Sequence, residues 1–285
     1  MSDKTSLETF HNQAQELTGE NVGIFVDYDN MYHCLRDFGA DIESEEADVI
    51  EFLWNCYTRD KIRTFKAYAD FDQVQVSMRN LQLNRVQIKQ VYGNGKEEKY
   101  RKNASDIELS IDALESTYHD SSIDTYVFVT ADSDMIPIMS RMIYKGKKVH
   151  LYYIGTNVSQ YQDITKYSHY NQDFLTVFNI DKDRANANYW VEKVCQHIRE
   201  WYDDSKNKNN MYGGTWLRDG LIKTFSMSKS LASSVIEHLE TEKNIIKYKN
   251  PKNNRDGYIV ADDLFVFETK FGENGIKSGK TPVTN

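Results

Sequence analysis

This chain is short of the features that mark several large classes of protein. It has 3 cysteines in 285 residues. Cys34, Cys56 and Cys195 are widely separated, odd in number and without metal-type spacing, which excludes a disulfide framework and a thiolate zinc site. Each is expected to be a small buried hydrophobe in a reducing cytosol. No apolar run approaches the ~20 residues of a membrane helix, and the polar stretch Met1 to Glu20 has no signal-peptide core. The expectation is a soluble, cytoplasmic protein with no membrane partner. Nor is there an excess of basic charge. With 35 Lys+Arg against 43 Asp+Glu the formal charge is −8, which excludes a surface coated in cations but not a local basic groove. There is no internal repeat.

What is present suffices for real cores, since hydrophobic residues make up 40% and aromatics 13%. Charge is unevenly shared. Residues 1–180 carry 18 Lys+Arg against 28 Asp+Glu, and residues 181–285 carry 17 against 15, so a boundary is expected near residue 180.

Val22-Gly23-Ile24-Phe25-Val26-Asp27-Tyr28-Asp29-Asn30 is an apolar run that stops abruptly in two carboxylates and a carboxamide. Such a run reads as a strand buried on both faces, as in a parallel sheet. Asn30–Phe38 then reads as a helix ended by Gly39, and a second helix starts at Ser44 and runs through Tyr57. Lys61–Tyr68 is a strand, Asp72–Leu83 a helix and Arg85–Tyr92 a strand. Ala104–Thr117 is a helix, Thr125–Thr130 a buried strand, Asp134–Lys145 a helix closed by Gly146, Lys147–Ile154 a strand and Asp173–Asn179 a last strand. This alternation predicts a three-layer α/β/α domain with a mainly parallel sheet over residues 20–180. A smaller domain is expected over 187–265, where three helices (Tyr189–Tyr202, Thr215–Phe225, Ser228–Lys243) precede two short strands. That is the outline of a winged helix-turn-helix. Residues 1–19 and 268–285 are expected to be flexible.

Three acidic sites recur where such a fold converges: Asp27 and Asp29 after the first strand, Asp106 early in a helix, and Asp132 and Asp134 directly after the strand Thr125–Thr130. Ligand crevices in open α/β sheets lie beyond the carboxyl ends of strands at a topological switch point. Asp27 and Asp132 are expected to face each other there. Carboxylates with few His or Cys partners suit Mg²⁺ or Mn²⁺, and such ions activate water and neutralise charge on a phosphodiester. Plainer readings stand beside this one. Asp29 or Asn30 would cap the following helix, and Asp134 would cap a helix with Pro137 in its first turn. Asp112 lies about 120° around the helix from Asp106, which suits a supporting role. Lys96, Lys99, Arg101 and Lys102 precede Asp106 on a loop and would serve a phosphate backbone, or form a solvated loop with Glu97 and Glu98.

Phe25-Val26-Asp27-Tyr28-Asp29-Asn30, Asn103-Ala104-Ser105-Asp106 with Asp112, and Thr130-Ala131-Asp132-Ser133-Asp134 with Pro137 resemble, in that order, the NYN domain, a branch of the PIN-like metal-dependent ribonucleases. The resemblance implies a PIN-like sheet and an acidic Mg²⁺ or Mn²⁺ site that cuts RNA, single-stranded or structured. On it, Asp27, Asp106 and Asp132 correspond to metal ligands, Asp134 to a fourth catalytic acid and Asn30 to the asparagine beside them. Where the family often has Lys-Gly before the middle acid, this chain has Arg101-Lys102-Asn103-Ala104-Ser105.

Residues 205–255 hold ten Lys+Arg against four Asp+Glu. Lys229, between two serines at a helix start, suits a phosphate. The outline is loosely similar to the OST-HTH (LOTUS) domains. It serves equally for RNA binding, protein docking or association with a second copy. Two rival functions remain at this point: a haloacid-dehalogenase-like phosphatase built on Asp27 and Asp29, and an RNA-binding regulator without catalysis.

Overall fold

A computed structural model describes residues 2–74, 76–92, 105–155, 163–207 and 210–271. Two compact units divide the chain, one from residues 1–35 and 40–181, the other from 36–39 and 182–285.

The first unit runs α1 (Ser2–Leu17), β1 (Val22–Asp27), α2 (Tyr28–Arg36), α3 (Val49–Tyr57), β2 (Ile62–Ala69), α4 (Met78–Leu83), β3 (Gln87–Gln90) and α5 (Ser105–His119). It continues through β4 (Thr125–Val129), α6 (Ile136–Tyr144), β5 (Lys148–Tyr153), β6 (Tyr170–Asp173) and α7 (Phe174–Val177). The six strands form one sheet in the order β3-β2-β1-β4-β5-β6, and every pair in it is parallel. β1 and β4 are buried along their whole length, as central strands covered on both faces must be. On one face Phe25, Phe128 and Leu151 pack with Leu109 and Ala113 of α5 and Met139 and Met142 of α6. On the other, Phe52 of α3 meets Tyr152 of β5 and Phe174 of α7 edge to face. Each such side chain stabilises the fold by roughly 1.5–3 kcal/mol on burial. This is the three-layer α/β/α architecture that the sequence predicts.

Several local expectations change. The helix expected from Ser44 begins at Val49, because Asp48 accepts from the Glu51 N–H and sets the cap there. The helix expected over Asp72–Leu83 is confined to Met78–Leu83, capped by Ser77. The last strand is Tyr170–Asp173, and the stretch expected to be strand from Asp173 is instead the short helix α7, started by the Asp173 carboxylate accepting from Leu175 N–H. The amino-terminal stretch, expected to be flexible, is helical through Leu17, and Ala14 is fully buried. An apolar residue gives that helix something to bury. Gly146 closes α6 at φ +74°, the left-handed conformation expected of it.

The second unit runs α8 (Val191–Asp203), α9 (Gly214–Thr224), α10 (Lys229–Thr241), β7 (Ile245–Lys249), β8 (Asp256–Val260) and α11 (Leu264–Phe271). β7 and β8 form an antiparallel ribbon. Its core joins Val194, Ile198, Leu217, Leu221, Val235 and Leu239. Three helices, α8 to α10, precede the ribbon, and α11 follows it. α11 extends past the point at which the sequence predicts fraying. Among the described residues, no helix is long and apolar enough to cross a membrane.

Candidate metal centre and active site

The strand order reverses direction between β1 and β4: β2 and β3 lie on one side, β5 and β6 on the other. The carboxyl ends of these two strands therefore open onto one crevice, with Asp27 at one lip and Thr130 to Asp134 at the other. The amino end of α5 brings Asp106 to the same edge.

Asp106, Asp132 and Asp134 each present a carboxylate oxygen, and the three oxygens lie within 4.8 Å of one another. Asp106 and Asp132 are half-buried and Asp134 is exposed, so the group faces solvent. Asp132 caps the single 3₁₀ turn Ser133–Met135 by accepting from Asp134 N–H at 2.9 Å. Its own N–H donates to Thr130 Oγ1 at 3.1 Å. Asp134 does not cap α6, which has no side-chain cap. It is free of the structural duty that the plainer reading gave it.

Asp27 is not a member of that trio. It is 3% exposed and sits one layer deeper. Its Oδ1 accepts from the Asn30 N–H at 3.3 Å and from Ser105 Oγ at 3.1 Å. Asp27 is thus the cap of α2, a role the sequence reading gave to Asp29 or Asn30. Burial pushes its carboxyl up to about 7; the Asn30 and Ser105 hydrogen bonds pull it down, and the charges of Asp29 and Asp106 push it up. Asp29 is buried too, and accepts from the Asp70 N–H at 2.9 Å, pinning the turn after β2. Asn30 reaches across the crevice: its Oδ1 accepts from Ala131 N–H at 3.0 Å. The carboxamide fastens the acidic turn after β4 to the helix after β1.

Asp112 takes no part in the cluster. Its Oδ2 receives Tyr68 Oη at 2.7 Å, Lys66 Nζ at 3.0 Å and Lys89 Nζ at 3.2 Å. Burial works against its charge, but Tyr68, Lys66 and Lys89 outweigh it and hold the carboxyl below its ordinary value. It anchors α5 to β2 and β3. Ser105, which the sequence reading did not single out, is the buried partner of Asp27. Its only signal was its place beside Asp106. Lys96, Lys99, Arg101 and Lys102 lie outside the described residues. Lys229 is exposed in the first turn of α10, while the neighbouring Ser228 hydroxyl is occupied in accepting from the Leu231 N–H.

The model of the NYN domain matches residues 21–172, more than half of the chain. This protein belongs to the NYN family. Asp27, Asn30, Asp106, Asp132 and Asp134 all lie within the matched span. Among solved structures, a Vibrio parahaemolyticus RIMD 2210633 protein of unknown function is similar at 20% identity and a TM-score of 0.41, covering 57% of this chain and 94% of its own. No curated protein matches the chain.

The donor set of this NYN domain fits a hard divalent cation. Three carboxylates, with no nitrogen or sulfur donor grouped with them among the described residues, suit an oxygen-seeking ion that keeps several waters. Three clustered anions also repel one another unless a cation or proton intervenes.

Proposed function

We propose that the NYN domain is a divalent-metal-dependent ribonuclease that hydrolyses phosphodiester bonds of RNA. The observation that carries this is the carboxylate trio of Asp106, Asp132 and Asp134 at the switch point of the sheet. In this reading the trio holds Mg²⁺ or Mn²⁺, which supplies charge neutralisation at the phosphodiester and activation of water. Asp27 joins from beneath, close enough to Asp106 to feel its charge. Asn30, Thr130 and Ser105 fix the acids by the hydrogen bonds described above, so that little reorganisation is left for the reaction.

Two features suit a polymeric substrate. A shallow groove of about 300 Å³ starts at Asp134 and runs over Ile111, Leu114 and Pro137 to Arg141. Tyr92, 73% exposed just past the end of β3, offers a ring to a base at the same edge of the sheet. Residues 187–265 then act as a module for substrate binding or oligomerisation. The phosphatase alternative would need Asp29 as an acid/base, and that carboxyl is buried on Asp70 N–H.

Purified protein incubated with unstructured RNA should cleave it with Mn²⁺ or Mg²⁺ and not with EDTA. Asp132→Asn, which keeps the cap acceptor, should lower the rate at least about 100-fold with an unchanged melting temperature. Metal-independent cleavage, or full activity in Asp132→Asn, would sink the proposal.

A further inference from the structure

In the second unit the segment before α9 is drawn against the ribbon. Tyr258 N–H donates to Tyr212 O at 2.9 Å. Gly257 permits this approach, since a Cβ there would meet Tyr212 N at 2.6 Å. The result is a cleft of about 480 Å³ between the start of α9 and the end of the wing turn, lined by Asn210, Gly213, Thr215, Trp216, Arg255 and Asp256. Leu217 and Leu221 face the core, and Trp216, about 100° away from Leu217 on the helix, is turned out and is 57% exposed. It stands 6.5 Å from Trp201, which itself stacks on Tyr212 at 4.3 Å and 4°. The exposed indole therefore has a rigid aromatic backing. Arg255 Nη1 donates to Asn210 Oδ1 at 2.9 Å, which holds the guanidinium at the rim.

We infer that this cleft takes an unpaired nucleobase of a single-stranded nucleic acid, stacked on Trp216 beside the Arg255 guanidinium. Aromatic faces serve any base, and a planar cation adds to the stack and meets the backbone. The cleft's own lining sets one cation, Arg255, beside one carboxylate, Asp256. It is therefore the exposed indole next to a guanidinium, a flat stacking pair suited to a planar base, that chooses this occupant over a peptide. The wing's other face is less open to a strand: Lys247 pairs with Glu240 at 2.9 Å and lies over the Tyr258 ring. The inference rests on the second unit alone and holds whether or not the first unit cleaves RNA.

The test is fluorescence anisotropy with the full chain in EDTA, using labelled RNA and DNA oligomers of about 12 nucleotides. Trp216→Ala should weaken binding about five- to hundred-fold, and Arg255→Gln should also weaken it. Trp216→Phe should bind within about threefold of the parent, since a ring face remains. An oligomer with abasic sugars throughout should bind parent and Trp216→Ala alike. Because Trp216 is exposed, the thermal melt of Trp216→Ala should match that of the parent, which separates lost binding from lost fold. Equal affinities for parent and Trp216→Ala on the normal oligomer would overturn the inference. So would abasic and normal oligomers binding the parent equally, or no binding of either nucleic acid by the parent. Cleavage by the first unit is read separately, as turnover with Mn²⁺, so the two proposals fail by different measurements.

Discussion

At the end of β1 one carboxyl must cap a helix, which favours its charge, while being shut away from water, which opposes it. For Asp27 burial wins, and its carboxyl is raised from an ordinary 3.8 to about 7. In metal-free protein this has a definite sign. Between about pH 4 and pH 7 the native state holds a proton that the unfolded chain has released, so stability falls as pH rises through that window and levels off above it. Asp27→Asn keeps the acceptor for Asn30 and Ser105 without needing the proton. It should stabilise the chelated protein at pH 8 by on the order of a few kcal/mol, and the gain should vanish near pH 4. Urea unfolding of both proteins in EDTA at the two pH values checks this; a loss of stability at pH 8 would refute it. From sequence the acids were legible as a group, because strand ends and a helix start place them at one edge. Their layering was not. Nothing in Asp27-Tyr28-Asp29 says that both carboxylates are cut off from solvent, since their partners, Ser105 for Asp27 and Asp70 for Asp29, lie far away in the chain.

At the scale of elements, α5 is positioned by ion pairs on its flank as well as by its apolar face. Asp112 ties it to Lys66 on β2 and Lys89 on β3, with the Tyr68 hydroxyl as a third donor. Removing that carboxylate leaves two ammonium groups and a phenol facing one another. Asp112→Ala should therefore cost about 1.5–3 kcal/mol, read as a lowered urea midpoint. This contrasts with Asp132→Asn, for which no stability loss is expected. A midpoint for Asp112→Ala within error of the parent would mean the pairs are solvent-screened ornaments. The periodic elements were legible where burial is continuous, as in β1 and β4. They were misread where a polar side chain sets the boundary: Ser77 delays α4, and Asp173 turns an expected strand into a helix. Side-chain capping is a local choice that hydrophobic spacing does not encode.

For the whole molecule, two separate cores imply two separable stabilities. Leu151 belongs to the core of the first unit and Leu239 to that of the second, and both are fully buried. Truncating either to Ala should cost about 2–5 kcal/mol in its own unit. Hydrogen exchange should show Leu239→Ala loosening amides in 191–260 while those of β1 and β4 keep their protection. Loosening of both sets together would show that the units unfold as one. The charge balance of the sequence also changes near residue 180.

Asn30 and Ala131 are joined by a hydrogen bond that spans 101 positions of the chain, and β1 finds its neighbour β4 across nearly the same distance. Pairings this remote are slow and come late. On the ribosome, where residues emerge at about 5–20 per second, the amino-terminal half is exposed for several seconds before β4 exists to receive it. Until then Asp106 has neither of its partners, Asp132 or Asp134. A nascent or truncated chain thus holds only scattered aspartates, and the constellation appears in one step when the two middle strands meet.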